Sequence, residues 1–497
     1  MATKLPNETL QHIFNFVDDA KTLYSIIQVN RAWCQNGIKF LWKDPFRNDI
    51  KLKNHIKILP TLLSFINYDY ILIENENLST KKEEIQSLSE PFSFNYPRLI
   101  THLDFHHLSR IVLKSLKKSQ CFGRSNEQDS RVRPYLIFLS LIFEAILIFN
   151  FERCLSMVLN IPASKQSLEN LQYLEIGSNI LKLSVLENLS KLCKKLRTIQ
   201  IREDNFDAIQ QYLISLIRNQ YYLENLIIFG NGVAVGSNYD ATISNILLTV
   251  QDVAHSLKKL EIADVFMRDK EALKALIQCK NISTLHFENS FISPENFQWI
   301  ALAELPRLQS LKFTRNWTEE TNENPMAKIF LDKRKSFGLK ELFLNNSKIE
   351  NFGLLGLVSS NCRNLVSLSV LVKSNEDISN ISSFLKDTST LEKLELSTSG
   401  PHTYDFNTET IIEMAKILPK QIYHVNLLKV IDSLVECEKF LEHCSADLNH
   451  FYVEFSQYYF FKVDRHIEFV KNWSTKNGKE IKILNITWYN INLEWWR

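Results

Sequence analysis

The feature that most constrains this chain is a short aliphatic pattern, L-x-x-L-x-L with other apolar residues allowed, that returns twelve times. It runs from Leu171/Leu174/Ile176 and Leu196/Ile199/Ile201, through Leu342/Leu344 and Leu394/Leu396, to Leu448/Phe451/Val453 and Ile481/Leu484/Ile486. Successive first positions lie 25, 27, 34, 25, 26, 31, 26, 26, 31, 26 and 33 residues apart, so a period near 26 is interrupted by four insertions. The last two aliphatic positions have strand period 2 and share one face of a short strand. Between strands lie helical stretches such as 206–217, with Phe206, Ile209, Leu213, Leu216 and Ile217 on one side. One strand and one helix cannot cover their own apolar faces, whereas stacked neighbours can.

Cys193, Cys279 and Cys362 stand three residues before the first aliphatic residue of a repeat, and Cys444 stands four before Leu448. Cysteines locked to that phase read as small buried hydrophobes where a helix turns into the next strand. The C-x-x-L-x-x-L-x-L unit resembles the cysteine-containing class of leucine-rich repeats. The resemblance implies an α/β fold, a leucine-rich repeat solenoid of horseshoe form, over 166–497, with Trp488, Trp495 and Trp496 capping its open end. Ile100/Leu103/Phe105 fits one further strand, and 49–165 reads as a linker with degenerate repeats.

Residues 1–48 follow a different pattern. Pro6 suits the first turn of a helix carrying Leu10, Ile13, Phe14 and Val17. Asp18 or Asp19 can cap a second helix with Leu23, Ile26 and Ile27. A third, with Trp33, Ile38, Leu41 and Trp42, stops before Pro45. Units near 40 residues seldom bury enough surface to stand alone, so this one is expected to lean on a partner or on the repeats. Leu5-Pro6-Asn7-Glu8, Ile13-Phe14, Val29-Asn30-Arg31-Ala32-Trp33 and Leu41-Trp42 resemble an F-box. An F-box ahead of leucine-rich repeats is the order found in F-box substrate receptors. The resemblance implies docking on the adaptor, and through it the cullin, of an SCF ubiquitin ligase. The implied adaptor contacts are Leu5, Pro6, Ile13, Phe14, Val29, Arg31 and Trp33. The repeats would then hold a protein substrate for ubiquitin-dependent degradation. The alternative is a repeat scaffold working outside a ligase.

Other classes of function find little support. The 11 glycines in 497 residues are about 2%, against roughly 7% in average usage, which disfavours glycine-rich phosphate cradles. No Walker, zinc-protease, nucleophile-elbow or C-x-x-C motif occurs, and no catalytic residue, metal or cofactor is expected. His102, Asp104 and His106 alternate on one strand face and could meet a divalent ion, but read better as a solvated face. His443, Cys444 and Asp447 do not face one another on a helix. The apolar run Tyr135–Phe151 carries Glu144 near its centre and reads as buried structure rather than a membrane span. Eight scattered cysteines and an N-terminus without an apolar leader point to a reducing compartment, cytoplasmic and/or nuclear.

Function should therefore lie in surfaces. The residues between the strand aliphatics form the row Glu175, Gln200, Ile227, Glu261, His286, Lys312, Phe343, Ser369, Glu395, Asn426, Tyr452, Asn485. One cation in twelve positions is no phosphate-tracking stripe, and the net charge of the chain is only +2, so no nucleic-acid partner is expected. Ile227, Phe343 and Tyr452 offer apolar contact to a protein ligand. The four insertions, placed at Gly230–Ala241, Thr314–Pro325, Thr398–Thr408 and Glu454–Lys462, are expected to be loops on one edge. They would present Tyr239, Trp317, His402, Tyr404, Tyr458 and Tyr459 as anchors.

Overall fold

The computed structural model describes residues 5–45, 47, 50, 96–104, 168–177, 183–203, 206–230, 237–316, 318, 326–331, 338–345, 352–398, 406–431, 433–454 and 483–487. The apolar run 135–151, the tryptophan cap and most of 49–165 lie outside them. Among the described residues, no helix is long and apolar enough to cross a membrane. The chain divides into two compact units, Met1–Ala234 and Val235–Arg497.

The first unit opens with three helices, α1 (Asn7–Phe14), α2 (Ala20–Ile27) and α3 (Arg31–Trp42). Pro6 sits at the N-cap of α1, one position earlier than expected, and its carbonyl accepts the Leu10 amide at 3.1 Å. Asp19 caps α2 through the Thr22 amide at 2.7 Å, and Asn30 caps α3 through the Trp33 amide at 3.0 Å. Leu10, Phe14, Leu23 and Ile38 form the small core. A polar clasp ties α1 to α3: buried Asn36 accepts from Gln11 and donates to Asn7 and the Ala32 carbonyl, each at 2.9 Å. Gly37 allows α2 and α3 to close, since a Cβ there would stand 3.1 Å from the Cγ2 methyls of both Ile26 and Ile27.

The helices are joined directly to the first repeat strand. The Lys43 carbonyl accepts the amides of Thr101 and His102, both at 3.0 Å, and Trp42 stacks on Tyr96 at 4.2 Å. From this junction run parallel strands β1 (His102–Asp104), β2 (Tyr173–Gly177), β3 (Thr198–Arg202) and β4 (Asn225–Phe229). Their register puts Leu103 beside Leu174, Leu174 beside Ile199, and Ile199 beside Leu226, so aliphatic positions line up across repeats. The helix Phe206–Arg218 buries the five residues its periodicity marks, Phe206, Ile209, Leu213, Leu216 and Ile217. Gln220 closes the gap between helix and strand: its buried amide accepts from the Leu196 N–H and donates to the carbonyls of Cys193 and Leu216.

The second unit repeats the device. Its parallel strands are β5 (Lys259–Ala263), β7 (Thr284–Glu288), β9 (Ser310–Thr314), β10 (Glu341–Asn345), β11 (Ser367–Leu371), β12 (Lys393–Ser397), β13 (His424–Leu428), β14 (His450–Glu454) and β15 (Ile483–Thr487). A two-residue pair, β6 (Phe266–Met267) and β8 (Phe291–Ile292), forms beside them. Across both units, every residue of the first eleven aliphatic triplets is at most 4% exposed. The phase-locked Cys193, Cys279 and Cys362 are buried as expected, Cys444 is half-buried, and Cys437, outside the pattern, is buried too. Burial pushes the thiols of Cys193, Cys279 and Cys437 up to about 12, which keeps them protonated and unreactive.

Strand exits are marked by left-handed backbone at Asp264, Asn289, Arg315 and Lys429, each immediately after the last strand residue. Buried amides satisfy the backbone beyond them: Asn316 accepts the Ser290 amide and donates to the Phe287 carbonyl, and Asn296 accepts the Leu273 amide and donates to three oxygens. One expectation fails here. Gly230–Ala241 is not a loop throughout, because Ser237–Leu248 is helical, and Tyr239 therefore lies in a helix. The apolar positions that drive this helix, Ile243, Ile246 and Leu247, come only after a polar first turn that has the composition of a loop.

Candidate interaction surfaces

The three helices bury too little to hide all their apolar side chains. Leu5, Ile13, Phe16, Tyr24 and Val29 are exposed, with Phe16 at 71% and Val29 at 55%. Half of the exposed large hydrophobic residues in the described structure fall within these first 29 positions. His12 packs edge-on against Phe16 at 5.1 Å. Pro6 and Arg31 are exposed and Trp33 is half-buried over Phe14 at 5.3 Å. An uncovered set of aliphatic and aromatic side chains this dense on a small segment has the character of a docking surface.

On the strand face of the first unit, described polar side chains pair with one another. Glu175 accepts from the Tyr173 hydroxyl and Gln200 amide at 2.8 Å and from Arg202 at 3.0 Å, while the Arg202 guanidinium lies 4.0 Å over the Phe229 ring. His102 stacks on Tyr173 at 5.6 Å and its Nδ1 shares a 2.9 Å hydrogen bond with the Thr101 hydroxyl. Burial, and then the Lys43 charge, pull its imidazole down to about 4. His102 thus has packing partners of its own; the side chain of Asp104 and all of His106 lie outside the described residues. No metal-capable group of side chains occurs among the described residues.

In the second unit the corresponding row is more varied. Lys259 pairs with Glu261 at 2.6 Å, Lys312 with Glu288 at 3.1 Å, and His286 bonds Ser310 at 2.9 Å. Asn345 donates to Ser369 at 2.8 Å. Burial raises the Glu395 carboxyl, opposed by the Ser369 hydroxyl and the Lys312 charge. His424, His450 and Tyr452 form an aromatic cluster, with His424 5.8 Å from His450 and 5.2 Å from Tyr452. Burial first, then the charges of His450 and Lys393, lowers His424 and favours its neutral form.

Comparison with known proteins supplies the family of the first segment. Residues 2–48 match the family model described as F-box-like. The chain carries an F-box-like segment ahead of leucine-rich repeats. No curated protein matches it. Among solved structures, the chain is similar to the leucine-rich repeat-containing protein LegL7 from Legionella pneumophila, with a TM-score of 0.34 at 12% identity over 58% of this chain and 93% of that one. It is also similar to the complex of Rad7 and Elc1 in yeast, with a TM-score of 0.35 at 13% identity over 70% of this chain and 90% of that one. The ectodomain of the plant receptor kinase GASSHO1/SCHENGEN3 from Arabidopsis thaliana gives 0.26 at 12% identity, over 58% of this chain and 40% of that one.

Within the F-box-like segment, the expected contact residues divide. Leu5, Pro6, Ile13, Val29 and Arg31 are accessible, and Trp33 is partly so. Phe14 is a correction: at 1% exposure, under Trp33 and Phe40, it is core and has no surface to offer a partner. Two exposed aromatics, Phe16 and Tyr24, escaped the sequence reading. Phe16 follows Ile13 by three residues, the helical spacing that would have placed both on one face. In the repeats, Ile227 on β4, Phe343 on β10 and Tyr452 on β14 are half-buried at outward positions, between buried neighbours. They do not form one patch, since Phe343 and Tyr452 alone are four strands, about 19 Å, apart. Trp317, His402, Tyr404, Tyr458 and Tyr459 lie outside the described residues.

Proposed function

We propose that this chain is the substrate-recognition subunit of an SCF-type ubiquitin ligase. Its F-box-like segment docks on the adaptor, which links it to the cullin, and its repeats hold a protein substrate for ubiquitin-dependent degradation. The observation that carries this reading is the exposure of the apolar side chains Leu5, Ile13, Phe16 and Val29 within a short segment that matches an F-box-like family. The mechanism is positional. Holding the substrate on the repeat array raises the local concentration of its lysines near a ubiquitin-loaded conjugating enzyme. The chain itself performs no acyl transfer and needs no cofactor. The same proposal divides the chain into a docking segment (1–48), an intervening stretch (49–165) and a receptor array (166–497), working in the cytoplasm and/or nucleus.

Co-purification with the adaptor tests this reading. The full chain should retain the adaptor, and Leu5→Ala with Pro6→Ala, or Ile13→Asp alone, should weaken retention at least about tenfold, the equivalent of losing one buried apolar anchor. Undiminished binding in both variants would leave the repeat array as a scaffold outside a ligase.

A further inference from the structure

Three row positions lie side by side on neighbouring strands of the second unit. Glu395 on β12 sits in register with Asn426 on β13, and Asn426 with Tyr452 on β14. Each step is one strand spacing, about 4.8 Å.

Three other carboxylates on these strand faces hold cationic or amide donors. Glu175 holds Gln200 and Arg202, Glu261 holds Lys259, and Glu288 holds Lys312. Glu395 has no cation within ion-pair distance among the described residues, although it is half-buried and desolvation raises its carboxyl. Beside it, the Asn426 Oδ1 is buried without a hydrogen-bond partner. On the other flank of Glu395, two strands away, the Asn345 Oδ1 is left in the same state. Asn345 Oδ1 and Asn426 Oδ1 each want a donor, and Glu395, whose carboxylate accepts from the Ser369 hydroxyl, has acceptor capacity left for a positively charged one.

The neighbouring rings suit the same guest. Tyr452 and His424 stand 5.2 Å apart at 36°, both half-buried. His424 is biased toward its neutral form and so presents a ring face rather than an opposing charge. A cation over such rings gains from their quadrupoles. The local cations are turned elsewhere, Lys393 over the Tyr423 ring at 6.0 Å and Lys312 onto Glu288, so an anionic guest would meet Glu395 first.

We propose that Glu395 and Asn426, flanked by Tyr452 and His424, receive an arginine side chain of a polypeptide bound to the repeat array. Arginine fits better than lysine for a geometric reason. Its planar fork directs several N–H groups outward at once, so it can serve acceptors on adjacent strands while stacking on a ring, whereas an ammonium is a point donor. The inference deepens the reading of the array as a substrate-binding surface and rests on it. It is independent of the adaptor contact, because none of these residues lies in the F-box-like segment.

Isothermal titration of the full chain with acetyl-Gly-Arg-Gly-Arg-Gly-amide tests it. Saturable binding is expected, weakened about tenfold by Glu395→Gln, strengthened severalfold by Asn426→Asp, and changed less than about twofold by Glu288→Gln, whose carboxylate already serves Lys312. The corresponding lysine peptide should bind more weakly and the glutamate peptide not at all. Absence of binding to the wild-type chain, equal weakening by the two glutamine variants, or equal binding of the glutamate peptide would overturn the proposal. Thermal melting confirms that each variant is folded, and Asn426→Leu carries the test should Glu395→Gln unfold. An adaptor-binding failure with intact peptide selectivity would sink the ligase reading alone; the reverse would sink only this one.

Discussion

The F-box-like segment and the repeats use the same side chains to opposite ends. In the repeats, a leucine at a triplet position is covered on three sides, by its own helix and by equivalent residues of the repeats before and after, and exposure falls to a few per cent at most. In the three helices there is no repetition to supply cover, and four large apolar side chains are buried while Leu5, Ile13, Phe16, Tyr24 and Val29 stay out. The difference is one of architecture rather than composition. A small helical unit has too much surface for its volume, and what it cannot bury becomes a face for another protein.

The sharpest way to break that comparison is to place the same charge in both regions. Leu342→Asp, at a fully buried position in β10, removes about 1.5 to 3 kcal/mol of burial and desolvates a carboxylate besides, so a loss of at least about 4 kcal/mol is expected in urea unfolding. Ile13→Asp, at an exposed position, should change stability by no more than about 0.5 kcal/mol while weakening adaptor retention at least about tenfold. If Leu342→Asp melted like wild type, the register of the repeats would be wrong. If Ile13→Asp unfolded the segment, that position would be core rather than part of a docking surface.

The asymmetry also explains what was legible in the sequence. Triplets at a fixed period announce strand, register and core together, because each position is tested against eleven copies, and the aliphatic positions of Phe206–Arg218 were readable from one turn to the next. Phe14 and Phe16 had no such copies. Both are phenylalanines near the end of one short helix, and only the packing of Trp33 and Phe40 over Phe14 decides that one is core and the other surface. The start of the helix Ser237–Leu248 is illegible because its first turn, Ser-Asn-Tyr-Asp, is polar enough to pass for insertion. Glu395 and Asn426 are visible as row members, yet what makes them a candidate site is a carboxylate without a cation beside an amide oxygen without a donor, which is a property of neighbouring strands and not of the sequence.

Between the two regions lies the junction at Lys43, Thr101 and His102, where acid should act first. Partial burial and the Lys43 charge pull the half-buried His102 imidazole down to about 4, against an ordinary 6.5, so the native state favours its neutral form. Its contribution is complete above about pH 6.5, declines as pH falls, and is gone once pH passes below about 4. Hydrogen exchange at the Thr101 and His102 amides, compared at pH 7 and pH 5, should show protection falling more than in the helix Phe206–Arg218, after correction for the intrinsic pH dependence of exchange. A His102→Gln variant, with no charge to bury, should lose that extra pH sensitivity. Equal sensitivity in both proteins would mean that the junction does not depend on this imidazole.

The smallest effect separates the regions by backbone rather than burial. Among the described residues, all four non-glycine residues with left-handed backbone stand at strand exits of the array, and none in the three helices. Asp264 and Asn289 have short polar side chains that tolerate this conformation, but Arg315, at φ 55°, does not. The turn holds because the Arg315 amide donates to the Asn345 carbonyl at 2.7 Å, a bond that any residue with an N–H can make. Arg315→Gly should relieve about 1 kcal/mol of strain, partly offset by the wider freedom of glycine in the unfolded chain, for a net gain of about 0.5 kcal/mol. Asn289→Gly, where little strain exists to relieve, should be neutral or slightly destabilising. Matched urea titrations of the two variants distinguish a strained strand exit from one that the repeat simply tolerates: an equal response at both positions would show that the left-handed turn stores no strain at Arg315.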